Sequence, residues 1–171
     1  MIIESLQMLA VPAASLNTLP GNPRVGDISA VSRSLERFGQ RKPIVVLRES
    51  RIVVAGNHTL QAALALGWEE IAAVFIDESL EEGKAFALAD NRVHDLGSYL
   101  DEELLAMLQA VIDIESLGLD GTGYLQKDID ALLKNTDVSD YPIIEDSTRE
   151  IDTGKWEFEH TCPKCRFEFN D

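Results

Sequence analysis

Apolar residues crowd the first eleven positions with partial alternation from Ile2 to Val11, which predicts an opening strand. The stretch LPGNPRVGD then brings two prolines and two glycines together and reads as a loop. From Asp27 the period lengthens. Ile28, Val31, Leu35 and Phe38 fall at i, i+3, i+7 and i+10, the spacing of one helical face, with Asp27 as its cap and Gly39 as its end. Two short apolar runs follow Pro43, Ile44–Leu47 and Ile52–Ala55, separated by Arg48-Glu49-Ser50-Arg51, and predict a hairpin-like pair. After Gly56 a helix is expected over about Thr59–Leu66. Its Ala62, Ala63 and Ala65 carry so little bulk that it can lie close to a sheet, and Gly67 closes it before a strand at Ile71–Ile76.

The second half is helical in pattern. Ser79 and Glu82 form a capping box ahead of a helix with Phe86, Ala89 and Val93 on one face. Asp101, Glu102 and Glu103 sit where acids favour a helix start, and Leu104, Leu108, Val111 and Ile112 make its stripe. A glycine turn at Gly118–Gly123 precedes a short helix near Lys127–Leu133, and periodicity disappears from Asn135. The reading is α/β of the α+β kind, a small mixed sheet with packed helices. It divides into a core at 1–96, a helical extension at 97–134, an acidic linker at 135–155 and a cysteine-containing tail at 156–171.

Composition narrows the function. The 45% hydrophobic content is that of a folded globular chain, and no apolar run is long enough to span a bilayer. The N-terminus has no basic leader and holds Glu4 inside its apolar stretch, so a cytoplasmic protein without a membrane partner is expected. A net charge of −15 argues against broad adhesion to DNA. The charge is uneven, though. Residues 24–51 hold seven Arg and Lys against three acids, and residues 69–103 hold eleven acids against Lys84 and Arg92. A basic entry segment of this kind is compatible with a local anion site.

That site is placed at Gly56-Asn57-His58-Thr59, where a strand hands over to a helix. Such a turn gathers backbone N–H groups at the positive end of a helix dipole, which suits a phosphate. Gly56 supplies the positive φ of a sharp exit, Asn57 a cap, and His58 and Thr59 side-chain donors. The same residues also make an ordinary tight turn with a helix cap, and the turn alone does not separate the two readings.

Three longer segments add weight: SLERFGQRKPIVV, RIVVAGNHTLQAALALGW and FALADNRVHDL. Over about residues 5–134 they resemble the ParB/sulfiredoxin-like superfamily, and more narrowly its phage-type ParB-like nuclease-domain proteins. The resemblance implies a compact domain that binds a nucleotide, CTP or ATP, with phosphates at Gly56–Thr59 and Mg²⁺ as an accompanying ion. It further implies that Asn91 and Arg92, in the string LADNR, face the phosphates. The departures from the pattern are informative. Asn57 stands at the acidic place of partition proteins, and His58, Thr59 and Gln61 stand at arginine places, so the bidentate phosphate forks are missing. This argues against CTP hydrolysis and clamp formation and leaves weaker phosphate binding. Asn57 also stands where sulfiredoxins carry their cysteine, which excludes sulfinic-acid reduction.

Cys162 and Cys165, with His160 beside them, resemble one knuckle of a zinc ribbon. Two thiolates three apart can hold one face of a tetrahedral Zn²⁺, and a closed site needs four ligands. A homodimer sharing the ion is one completion; an orphaned half-site is the other. Three functions follow: a nucleotide-binding module in a DNA-associated process such as partition, modification or phage regulation, with DNA contact indirect; a metal-dependent nuclease, nucleotide hydrolase or phosphotransferase, whose catalytic residues no spacing singles out; and a tail that dimerises through zinc.

Overall fold

The computed structural model describes residues 1–114 and 118–136, and in the tail 160–161, 163–164 and 168–169. The chain divides into two compact units, Met1–Asp137 and Val138–Asp171. In the first, strands β1 (Ala10–Pro12), β2 (Asn17–Thr18), β3 (Ile44–Leu47), β4 (Ile52–Ala55) and β5 (Glu70–Ile76) form one mixed sheet in the order β1-β5-β3-β4-β2. β3 runs antiparallel to β4 and parallel to β5, β1 pairs antiparallel with β5, and β2 pairs parallel with β4. Helices α1 (Ile28–Phe38), α2 (Asn57–Ala65) and α3 (Leu80–Asp95) pack on the sheet, and α4 (Asp101–Ile112) with α5 (Gln126–Thr136) completes the unit. Among the described residues no helix is long and apolar enough to cross a membrane.

Strand alternation sorts the core into two faces. Val46 and Val53 join Leu35, Leu60, Ala62, Ala63, Ile71 and Ala73 in the main cluster. Leu47 and Val54, one step along their strands, lie against Gly83 of α3. The α1 stripe is buried or half-buried at Ile28, Val31, Leu35 and Phe38, with Asp27 Oδ1 accepting the Ala30 N–H at 2.9 Å. Ala62 and Ala63 are fully buried, which brings α2 close to the strands.

The structure corrects the sequence reading in four places. Residues Glu4–Leu9 form a 3-10 helix, and the first strand begins only at Ala10. Ile3, Leu6 and Leu9 are the half-buried positions there, a spacing of three that suits a helix with three residues per turn. The α3 face turned to the sheet carries Gly83 and Ala87; Phe86 and Val93 are exposed. Close approach selects the smallest side chains, since a Cβ at Gly83 would fall 2.8 Å from Val54 Cγ1. On α4 the buried pair is Leu105 and Leu108, which meet Ile129 of α5. Finally, α2 begins two residues earlier than expected, with Gly56 rather than Asn57 as its cap.

The extension docks on the core through the turn before α5. At Gly121, φ +72°, a Cβ would sit 2.7 Å from Arg37 Cβ, so this turn lies directly on α1. In the tail unit, β6 (His160–Thr161) and β7 (Glu168–Phe169) pair antiparallel, with His160 opposite Phe169. Cys162 and Cys165 lie outside the described residues, as does the expected acidic linker from residue 137 onward.

Candidate functional site

Gly56 sits at φ +91°, ψ 26°, a left-handed conformation that lets the chain leave β4 and enter α2 within one residue. A side chain there is also sterically excluded, since a Cβ would lie 2.5 Å from Ile44 Cγ2. The helix that follows leaves its first N–H groups without intrahelical acceptors. Those of Asn57, His58 and Thr59 have no hydrogen-bond partner among the described residues. Together with the helix dipole they form a positively polarised mouth.

This mouth opens into a cleft of about 240 Å³ lined by Gly56, Asn57, His58 and Thr59 on one side and by Ala87, Asp90 and Asn91 of α3 on the other. Five of the six site residues named from sequence are therefore brought together across 35 positions of chain. The sixth, Arg92, is exposed on α3 and does not line the cleft. One helical position turns a side chain by about 100°, which carries Arg92 away from the direction of Asn91.

The two asparagines differ in what they can offer. Asn57 is buried, and both ends of its carboxamide are used: Oδ1 accepts the Leu19 N–H at 2.7 Å and Nδ2 donates to the Val53 carbonyl at 3.0 Å. Its side chain holds the scaffold, so only its backbone N–H is left for a ligand. Asn91 is half-buried and donates from Nδ2 to the Ala87 carbonyl at 2.8 Å, which orients the carboxamide at the cleft wall. His58 packs its ring on Gly26, where a Cβ would come within 2.6 Å of Nδ1.

The loop between β2 and α1 supplies residues that the sequence did not single out. Asn22 and Arg24 line the cleft, and Arg24 Nη1 lies 3.0 Å from both carboxylate oxygens of Asp95 on α3. The only trace in the sequence was Arg24 at the edge of the basic segment. Nothing in local pattern says that a proline- and glycine-rich loop folds back over a helix start more than thirty residues away. Among the described residues no group of three or more His, Cys, Asp or Glu is placed to hold a metal ion.

No protein-family model matches the chain. Over 110 residues it is 34% identical to a probable plasmid-partitioning protein ParB of Thermus thermophilus, covering 61% of this chain and 36% of that protein. The C-terminally truncated chromosome-partitioning protein ParB from Caulobacter crescentus, complexed with CTP-gamma-S, superposes with a TM-score of 0.61. That match is 14% identical and covers 73% of this chain and 76% of the other. The chain is similar to ParB proteins in sequence over part of their length and shares the fold of the Caulobacter protein. Over 67 residues the chain is 45% identical to the transcriptional regulator NovG of Streptomyces niveus, covering 39% of this chain and 21% of that regulator. The chain thus spans 36% and 21% of the lengths of these two curated relatives.

Proposed function

We propose that this ParB-like chain is a nucleotide-binding module of a DNA-associated process such as partition or modification, working in the cytoplasm. The observation that carries the proposal is the convergence of the unpaired α2 amides and Asn91 on one cleft. Bound CTP-gamma-S in the similar Caulobacter structure supports a nucleoside triphosphate as the ligand class. The phosphates would take the N–H groups of Asn57, His58 and Thr59, with His58 and Thr59 side chains adding donors. Asn91 would meet them from α3. Asp90 also lines the cleft and would be the carboxylate to receive an accompanying Mg²⁺. The plasmid-partitioning relative supports work beside DNA. With a net charge of −15, DNA contact would be confined to the basic 24–51 segment or supplied by a partner. Among the described residues no group of carboxylates or histidines supports the metal-dependent nuclease alternative.

Calorimetric titration of the full chain with CTP, ATP and ADP tests this. At least one should bind, with affinity falling about tenfold or more in His58→Ala and in Asn91→Ala, as expected for loss of a phosphate-directed polar contact. Arg92→Ala should change it little. Absence of binding by all three nucleotides would overturn the reading.

A further inference from the structure

Helix α4 carries two apolar stripes, and the fold fully covers one. Leu105 and Leu108 are buried with Ile129 of α5. The second stripe is Leu100, Leu104, Met107, Val111 and Ile114, at steps of four, three, four and three. Its helical members Leu104, Met107 and Val111 fall within an arc of about 60°, turned about 100° from the buried pair. Leu100 at the N-cap and Ile114 just past the C-cap continue the spacing at either end. Leu104 and Val111 are half-buried, whereas Leu100, Met107 and Ile114 are 70%, 69% and 48% exposed. The step pattern is that of a heptad seam. An apolar run of this regularity left facing solvent marks an association surface.

Charge decides what can cover it. Residues 93–126 contain no Lys or Arg and seven acids, among them Asp101, Glu102 and Glu103 in the first turn of α4 and Asp113 at its C-cap. Glu103 stands one turn before Met107 on the helix surface. A second copy would bring the same acids to the same seam, and like charges beside such a seam oppose pairing. Residues 137–171 of this chain are acidic as well, with ten acids against four Lys and Arg. The surface therefore suits a helix whose own apolar stripe is bordered by Lys and Arg.

We infer that α4 docks a basic amphipathic helix of a partner protein along Leu104, Met107 and Val111, with Leu100 and Ile114 at the two ends. Anchors at steps of three and four are how one helix reads the face of another. The stripe supplies the apolar contact, and the surrounding acids steer the partner and select its sign. Met107, unbranched and adaptable, lets the centre of the stripe fit the side chains it meets. The inference stands on α4 alone and does not depend on the anion reading of the cleft.

The probe is a fluorescent peptide of about three heptads with Leu at a and d and Lys at e and g. Anisotropy titration should show it binding the full chain, while the same peptide with Glu at e and g should not bind. Met107→Asp should weaken binding about tenfold or more, because it puts a charge into the centre of the contact. Ala106→Asp adds the same charge at an exposed position off the stripe and should leave affinity at least as high. Met107→Gln, which adds no charge, should give a smaller loss in the same direction. Thermal unfolding of the Met107 variants should match the wild type, since that side chain is largely exposed. Failure of the Lys peptide to bind, or equal affinity for wild type and Met107→Asp, would overturn the inference. A wild-type dimer in sedimentation that Met107→Asp dissociates would overturn it in favour of self-association.

Discussion

Asn57 Oδ1 accepts the backbone N–H of Leu19 at 2.7 Å, joining the first residue of α2 to the start of the loop that crosses its mouth. The same carboxamide donates to the Val53 carbonyl, four residues back on β4. One buried side chain therefore fixes the relative position of a strand end, a helix start and a loop. Asn57→Ala leaves a buried donor and a buried acceptor unpaired, each costing about 1–3 kcal/mol. The expected outcome is a stability loss of about 2–4 kcal/mol in urea unfolding. Asn57→Asp keeps the acceptor for Leu19 but faces the Val53 carbonyl with a second acceptor, so it should be no more stable than the alanine variant.

Gly26 and His58 form a tight pair. A Cβ at Gly26 would lie 2.6 Å from His58 Nδ1 and 2.8 Å from Cγ and Cε1, too close for the ring to stay where it is. Gly26→Ala should therefore displace His58 and destabilise the chain by about 1–3 kcal/mol, the usual cost of overpacking. Combined with His58→Ala the added methyl has room, and the second substitution should recover most of the loss. A double-mutant cycle on thermal unfolding checks this, because two unrelated positions would give additive effects.

The inner strands and α1 were readable because each local signal agreed with the others, whereas the edge strands β1 and β2 were not. Asp27, Ile28, Val31, Leu35, Phe38 and Gly39 together mark cap, stripe and end, and the hairpin strands fall at Ile44–Leu47 and Ile52–Ala55 as the apolar runs place them. The burial of α3 was not readable, because a hydrophobic count favours Phe86 and Val93, whereas packing against Leu47 and Val54 favours Gly83 and Ala87. The site was half readable. Gly56–Thr59 and Asn91 carry local signatures, but the buried role of Asn57 and the reach of Arg24 to Asp95 depend on tertiary approach alone.

The capping box of α3 gives a pH-dependent prediction. The Ser79 backbone N–H at 2.9 Å, and then the Ser79 hydroxyl at 2.7 Å, donate to the Glu82 carboxylate and hold its pKa below the ordinary value of 4.5. A carboxyl depressed in the folded state stabilises fully above its unfolded pKa, and that contribution is lost as pH falls through the lower folded value. Glu82→Gln keeps the length and removes the charge. The stability gap between wild type and Glu82→Gln should be constant above about pH 5.5 and close as the pH drops below about 4.5. A gap that persists unchanged to about pH 3 would show that the charge is not what stabilises this cap.

Gly83 sets helix propensity against packing, and the magnitudes decide the sign. Replacing a helical glycine by alanine ordinarily stabilises by up to about 1 kcal/mol, even in a first turn such as that of α3. Here the new Cβ would fall 2.8 Å from Val54 Cγ1 and 3.1 Å from both methyls of Leu47. Val54 is β-branched, on a central strand and 2% exposed, so it cannot swing aside. Overpacking at about 1–3 kcal/mol outweighs the propensity gain, and Gly83→Ala should be net destabilising by about 1 kcal/mol, with α3 pushed outward. Moving α3 also moves Asn91, so nucleotide affinity should drop in the same variant. Adding Val54→Ala opens the space the methyl needs, and in that background Gly83→Ala should become stabilising. If Gly83→Ala stabilises the wild-type chain outright, α3 does not lie as close to the strands as this packing requires.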